Sequence, residues 1–458
     1  MAGGNPHVLV IPYPAQGHVI PLMELSQCLA RHGIRITFVN TEQNHKRVMN
    51  ALAKNDGIAN SYIHLVSVLD GLESDPKQRN QPEKRLEAVL WFLPRKVEEL
   101  IENINASESD KITCVLADHL LGWAMEIAVR KGIKRAAFSA IAATTLVLRS
   151  SIPKLIDDGI IDNDGTPTKK QMFRISPTMP AMTTTHLGWT SIGNKKLQKM
   201  YFENIVRDAR SMNMSDWVLC NSTYDLEPAA FNMEPKIRPI GPLLASNRLG
   251  DLAGNFWPED LSCLKWLDQQ PPQSVMYVAF GSSTDFDRIQ FQEVAMGLEI
   301  CNRPFLWVVR PDTIDKMTDA YPSGFQERVA ARGNIVSWAP QQKVLGHPAV
   351  ACFVSHCGWN STIEGVSNGI PFLCWPYFAD QFHNESNICD VWKVGLGFNR
   401  DENGIVTQEQ LKNKVEELLG CEKYKANALN LKEKMINGIK EGGGSYNNFK
   451  NFVKWVKA

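Results

Sequence analysis

No net charge, no paired cysteines and no long apolar run mark this chain, and each absence excludes a class of function. Basic and acidic residues balance at 49 each, so no overall field draws the protein to nucleic acid or to an acidic membrane. No stretch approaches the ~20 consecutive apolar residues of a membrane span. The ten cysteines are scattered singly, without a CxxC pair. That usage is expected of reduced thiols in a cytoplasmic protein. The opening MAGGNPHVLVIPYP lacks the basic stretch and long apolar core of a secretory signal. The sequons at Asn105, Asn213, Asn221, Asn360 and Asn384 are accordingly expected to stay unmodified. Two catalytic fingerprints are also missing. A nicotinamide-dependent dehydrogenase wants GxGxxG after its first strand, whereas Pro12 to His18 offers one glycine and Gly395-Leu396-Gly397 lacks the third. No GxSxG occurs, which speaks against a serine hydrolase.

What is present is an ordinary globular composition, 44% hydrophobic and 21% charged. At 458 residues the chain is too long for one core and is expected to form two or three domains. Strand and helix signals alternate, twice over. His7 to Ile11 reads as a buried strand, followed by the loop Pro12 to His18 and a helix carrying Leu22, Leu25 and Leu29 on one face, with Gly33 as its stop. Ile34 to Asn40, Cys114 to Ala117 and Arg135 to Ser139 continue the strand series. Gly71 to Glu83 and Asp157 to Lys170 read as mobile loops. A second series begins after Ile240-Gly241-Pro242. It comprises strand Val275 to Phe280, a helix near Phe291 to Cys301, and strands Phe305 to Val309, Val350 to Ser355 and Phe372 to Trp375. Thr407 and Gln410 form a capping box that opens a helix to Leu419. The pattern predicts an α/β protein with two Rossmann-like parallel sheets facing across a cleft. The expected division is a first domain over 1–242, a Gly-, Asn-, Asp- and Pro-rich linker over 243–260, a second domain over 261–440 and a terminal helix over 441–458.

One block carries most of the chemistry. It runs WAPQQKVLGHPAVACFVSHCGWNSTIEGVSNGIPFLCWPYFADQ, from Trp338 to Gln381. His356 closes a strand, and Gly358-Trp359-Asn360-Ser361 turns into a helix whose N-terminus makes an anion site. His356 can donate to a phosphate oxygen and steady a departing diphosphate. Glu364, one turn on, can accept hydrogen bonds from two ribose hydroxyls. Trp338 offers a face for a base, a contact worth roughly 1–3 kcal/mol. Asp380 and Gln381 are candidates for sugar hydroxyls, and Ser282, in Phe280-Gly281-Ser282-Ser283, for a phosphate contact. In the first domain, His18 and Asp118 stand after strands that reach the same sheet edge. A histidine is a fit proton acceptor near neutral pH, and a carboxylate behind it fixes its tautomer. Alone, such a His and Asp are more often core or capping residues. His119 directly follows Asp118 and is expected to face away.

This block resembles the donor signature of plant UDP-sugar-dependent glycosyltransferases, the secondary-product, inverting family, and the likeness spans essentially the whole chain. It includes PAQGH near the N-terminus and WLDQQPPQSVMYVAFGSS before the block. The resemblance implies the GT-B architecture, with the terminal helix packing back on the first domain. It implies His18 as general base supported by Asp118. Trp338 and Ala339 would bind uracil, His356, Asn360 and Ser361 the diphosphate, and Glu364 the ribose, with Gln341 counted among the donor residues. Trp359, Asp380 and Gln381 would bind the hexose, Gln381 favouring glucose, and Ser139 would contact the sugar. Trp91, Phe92, Trp123, Ile141, Trp189 and Phe378 lie in segments that line the family's acceptor pocket, although aromatics serve as readily as core. The expected activity is transfer of glucose from UDP-glucose to a hydroxyl of a small apolar plant metabolite, a phenolic, flavonoid or terpenoid. Another UDP-sugar, or a binding protein without catalysis, are the alternatives. The protein is expected to be a cytoplasmic monomer without cofactor. No metal is expected. The cluster His347, Cys352, His356 and Cys357 has no ordinary zinc spacing, and Asp162-Asn163-Asp164 reads as a solvated turn.

Overall fold

Short runs of aliphatic and β-branched residues become the strands of two all-parallel sheets, one in each of two units. The structure, a computed structural model, describes residues 6–54, 62–73, 79, 81–244, 254–315, 317 and 319–458. One unit comprises Met1–Pro258 with Asn437–Ala458, and the other Glu259–Ile436. No helix among the described residues is long and apolar enough to cross a membrane.

The first sheet is built from β1 (His7–Ile11), β2 (Arg35–Thr41), β3 (Ile63–Val68), β4 (Cys114–Asp118), β5 (Lys134–Ser139), β6 (Trp217–Cys220) and β7 (Ile237–Pro239). Its order is β3-β2-β1-β4-β5-β6-β7. Every residue of β1 and β4 is buried, as expected of a parallel sheet covered on both faces. Alternation divides them: Val8 and Val10 join one core with Leu22, Leu25 and Phe38, while Leu9 and Ile11 join another with Val115 and Trp123. The chain's last helix, Gly444–Lys457, completes the first of these cores with Phe452, Val453 and Val456. Strand order reverses between β1 and β4, so the loops after them diverge and leave a crevice at their carboxyl ends.

A fully buried carboxylate organises the far half of this sheet. Glu227 accepts from the N–H groups of Ala143 (3.0 Å) and Thr144 (2.8 Å), and from the hydroxyls of Thr144 (2.8 Å) and Ser222 (2.5 Å). It thereby caps, from outside, the helix Ala143–Ser150 that follows β5. Burial raises its proton affinity, and these donors oppose that rise.

Several boundaries differ from the sequence reading. The first helix spans Gln16–Ala30, so His18 lies in its first turn rather than in a loop. Gly17 and Pro21, poor helix formers, had hidden that start. Glu83 is helical, in Pro82–Glu87; the neighbouring 74–78 and 80 lie outside the described residues. The loop after Asp157 is pinned: Ile161 bridges Pro167, and the Trp189 indole donates to the Gly165 carbonyl at 2.7 Å. Of the expected linker, 245–253 lie outside the described residues. Residues 254–258 belong to the first unit, where Phe256 is buried and its N–H donates to Gln16 Oε1 at 2.8 Å.

The second sheet contains β8 (Val275–Ala279), β9 (Phe305–Val308), β10 (Gly333–Val336), β11 (Val350–Ser355), β12 (Phe372–Cys374) and β13 (Gly395–Gly397), in the order β10-β9-β8-β11-β12-β13. The glycine-bearing edge strands β10 and β13 carry weak strand signals, which is why the pattern missed β13. The helix Arg288–Ile300 begins earlier than expected because Asp287 caps it, accepting from Gln290 N–H at 2.8 Å. Thr407 caps Gln408–Leu419. The capping box is only half made, since Gln410 Oε1 accepts from Asn399 N–H instead.

Candidate functional site

In the first unit, β4 ends at Asp118 and the helix after β1 presents His18. His18 Nδ1 donates to Asp118 Oδ2 at 2.7 Å. The carboxylate is fully buried, whereas the His18 side chain keeps 17% exposure. Its Nδ1 being engaged, the ring has Nε2 to offer a substrate. Asp118 Oδ1 accepts from Leu120 N–H at 2.9 Å. Burial alone would push this carboxyl up, but the charge of His18 and hydrogen bonds from His119 and His18 outweigh it and hold it below the usual carboxylate range.

His119 does not face away. Its Nδ1 lies 3.3 Å from Asp118 Oδ1, its ring stacks 6.4 Å from that of His18, and Arg149 Nη1 donates to its Nε2 at 2.7 Å. Burial lowers its pKa to about 4. Asp208, on the helix Lys195–Met212, completes the polar interior: it accepts from Gly122 N–H at 3.0 Å and Asn204 Nδ2 at 2.7 Å. Burial raises its pKa to about 7. A carboxyl whose folded pKa is raised stabilises the fold below its unfolded pKa, and that contribution is lost as pH rises through about 7. Asp208→Asn is therefore expected to gain melting temperature relative to the native chain between about pH 5 and about pH 8. A difference that stays flat across that range removes the buried-carboxyl assignment.

The second unit gathers its groups at the carboxyl ends of β8 and β11. After β11 come His356, Cys357 and Gly358, then the helix Trp359–Ser367, whose N-cap Gly358 has no side chain with which to cap it. Glycine is needed twice here: a Cβ on Gly358 or on Gly281, which has φ +73, would strike the His356 imidazole. Burial lowers His356 to about 4, with Arg310's charge contributing in the same direction and a hydrogen bond to the Ala279 backbone opposing it. Arg310 is itself buried and donates to the carbonyls of Gly281 (2.8 Å) and Thr284 (3.0 Å), so it fixes the loop holding Ser282.

Glu364 is set by two glutamines. Gln341 Nε2 donates to its Oε2 at 2.7 Å and Gln342 Nε2 to its Oε1 at 3.2 Å. Gln341 Nε2 also donates to Ser361 Oγ (2.8 Å), and its oxygen accepts from the Tyr277 hydroxyl (3.0 Å). Trp338 is half-buried beside buried Ala339, and the Trp338 carbonyl accepts from Asp260 N–H at 2.8 Å. Gln381 Oε1 accepts from the N–H groups of Tyr377 (2.7 Å) and Phe378 (3.1 Å), leaving its amide N–H as the group able to meet a ligand. Asp380 Oδ2 accepts from Asn384 Nδ2 at 2.9 Å. Asn360 is half-buried, whereas Trp359 is buried against Trp392, with ring centroids 6.3 Å apart.

Other expected site residues are placed differently. Trp123 and Trp189 are core: the first packs with Leu121 and Ile127, the second with Phe202 and Leu187. Ser139 is fully buried and donates to the Ile141 carbonyl at 3.1 Å, a turn-holding role. Ile141 is buried against Val147 and Met179. Trp91 is 64% exposed, and Phe92 and Phe378 are half-buried. Asp162 is a turn former, its Oδ1 accepting from the N–H groups of Asp164 and Thr166. Arg149, Asp208 and Arg310 escaped the sequence reading. Arg310 alone left a signal, a lone cation directly after an apolar strand.

Comparison with known proteins agrees with this arrangement. Residues 185–435 match the family model described as UDP-glucoronosyl and UDP-glucosyl transferase, and residues 6–159 match a glycosyltransferase N-terminal domain. UDP-glycosyltransferase 83A1 of Arabidopsis thaliana is 47% identical, over 99% of this chain and 97% of its own. Linamarin synthase 1 of Manihot esculenta is 34% identical, over 98% and 97%. The crystal structure of Os79 from O. sativa in complex with UDP has a TM-score of 0.80 and 27% identity, covering 98% of this chain and 100% of that one. On sequence and on fold, the chain belongs to the plant UDP-dependent glycosyltransferases, family-one enzymes of the GT-B fold.

Proposed function

We propose that the protein transfers glucose from UDP-glucose to a hydroxyl of a small apolar plant metabolite, a phenolic, flavonoid or terpenoid, by one inverting displacement. The observation that carries this reading is the 2.7 Å contact of His18 Nδ1 with the fully buried Asp118 carboxylate. It orients Nε2 to accept the acceptor's hydroxyl proton as that oxygen attacks the anomeric carbon. One C–O bond forms, the bond from sugar to diphosphate breaks on the opposite face, and UDP departs. The departing charge falls to His356 and the helix start at Asn360 and Ser361, with Ser282 nearby on its loop. A neutral His356 still has one ring N–H with which to donate to a phosphate oxygen. Glu364 takes the ribose, and Trp338 with Ala339 takes the base. The reading of Gln381 as a glucose contact rests on its free amide N–H, with Asp380 alongside. Trp91, Phe92 and Phe378, the less buried of the aromatics, remain candidates for the acceptor. No metal or cofactor enters the scheme. The free thiols of the ten cysteines suit a reducing cytoplasm.

The test is UDP release from UDP-glucose in the presence of EDTA, across a panel of phenols, flavonoids and terpenoids. Acceptor-dependent release with one hexose added to the aglycone, seen by mass spectrometry, is the expected result. UDP binding without release on any acceptor would overturn it and point to a different sugar donor or to a binder.

A further inference from the structure

The Asp118 carboxylate serves two imidazoles, and the proposed displacement uses one of them. His119, buried in the first unit, has Asp118 Oδ1 at 3.3 Å from its Nδ1. That separation is an ion-pair distance, and Nδ1 makes no aligned hydrogen bond among the described residues. At the other side of the ring, Arg149 Nη1 stands 2.7 Å from Nε2. A guanidinium only donates, so Nε2 must accept, and the single proton of a neutral imidazole is forced onto Nδ1, towards Asp118. Burial keeps the ring neutral, its pKa lowered to about 4.

We propose that Arg149 and His119 form a positioning pair for the transfer reaction: Arg149 fixes the His119 tautomer, and His119 holds the Asp118 carboxylate in the orientation that aligns His18. Two imidazoles face one carboxylate from opposite oxygens, His18 hydrogen-bonded to Oδ2 and His119 Nδ1 3.3 Å from Oδ1, with Leu120 N–H also on Oδ1. Neither His119 nor Arg149 touches substrate in this scheme. The other charged or titratable groups around the carboxylate are Asp208, to which Arg149's charge also extends, and Tyr13, whose ring lies 5.2 Å from His18. The inference rests on the reading of His18 as base.

Two near-isosteric variants separate positioning from packing. In His119→Asn the amide N–H takes the Nδ1 place and keeps the donor to Asp118. In His119→Gln the amide oxygen takes the Nε2 place, keeps Arg149 and loses that donor. The Asn variant is expected to retain kcat within about threefold, and the Gln variant to lose roughly tenfold or more, as losing one hydrogen bond to a charge implies. KM for UDP-glucose and the melting temperature should stay unchanged in both. Arg149→Met should fall between them, with Arg149→Lys partly restoring turnover. If Asn and Gln lose turnover equally, or both keep it in full, the pair has no positioning role. His18→Ala, run alongside, reports on the base separately: if it keeps turnover, the base reading fails whatever the His119 variants do.

Discussion

His18→Ala is expected to cut turnover by roughly 10²- to 10⁴-fold, the usual worth of a positioned general base. UDP affinity should not change, because the donor residues lie on the second unit's sheet and no donor role attaches to His18. The size of the loss follows from the buried partner. Asp118, held below the usual carboxylate range, is a fixed negative charge that stabilises the imidazolium formed when the acceptor's proton arrives. Steady-state rates at saturating UDP-glucose, with UDP binding by calorimetry on the same preparation, make the check. A variant that turns over near the native rate while binding UDP normally would remove His18 from the mechanism.

The second large effect is expected on the donor side. A carboxylate offers about four acceptor sites, and Gln341 and Gln342 occupy two of those on Glu364. A carboxylate so oriented can accept from a vicinal diol. Glu364→Ala should weaken UDP binding by on the order of 10- to 100-fold, since a hydrogen bond to a charged group contributes about 1.5–3 kcal/mol. Gln342→Ala removes only an orienting contact and should cost less. Calorimetric titration with UDP ranks the two, and equal affinity for Glu364→Ala and the native chain would sink the ribose role.

Part of the second unit's polar cluster was legible in the sequence because it is local. His356, Asn360 and Glu364 lie within one strand–turn–helix passage, whereas Trp338 follows an earlier strand of the same sheet. His18 and Asp118 are 100 residues apart yet legible, because one begins the helix after β1, the other ends β4, and the sheet brings those strand ends together. Arg149 and Asp208 had no such marker. Each projects from a helix towards β4, and only the packing of those helices decides that the side chain meets His119 or Gly122. The same limit applies to the buried Trp123 and Trp189, since an aromatic on a helix or loop carries no label for core or pocket. His119 does not face away because β4 ends at Asp118, so strand alternation does not extend to residue 119.

Glu227 gives the two sheets different futures. A helix start behind a parallel strand is where this kind of fold receives a phosphate, and the second unit meets that position with Gly358, which brings no side chain of its own. In the first unit the helix start after β5, at Ala143 and Thr144, already holds a resident carboxylate, secured by two hydroxyls as well. The chain thus carries its own counterfeit phosphate there. A nucleotide would have to evict a group that is covalently tethered and cannot diffuse away. An engineer seeking an anion socket at that helix start would have to begin by removing Glu227.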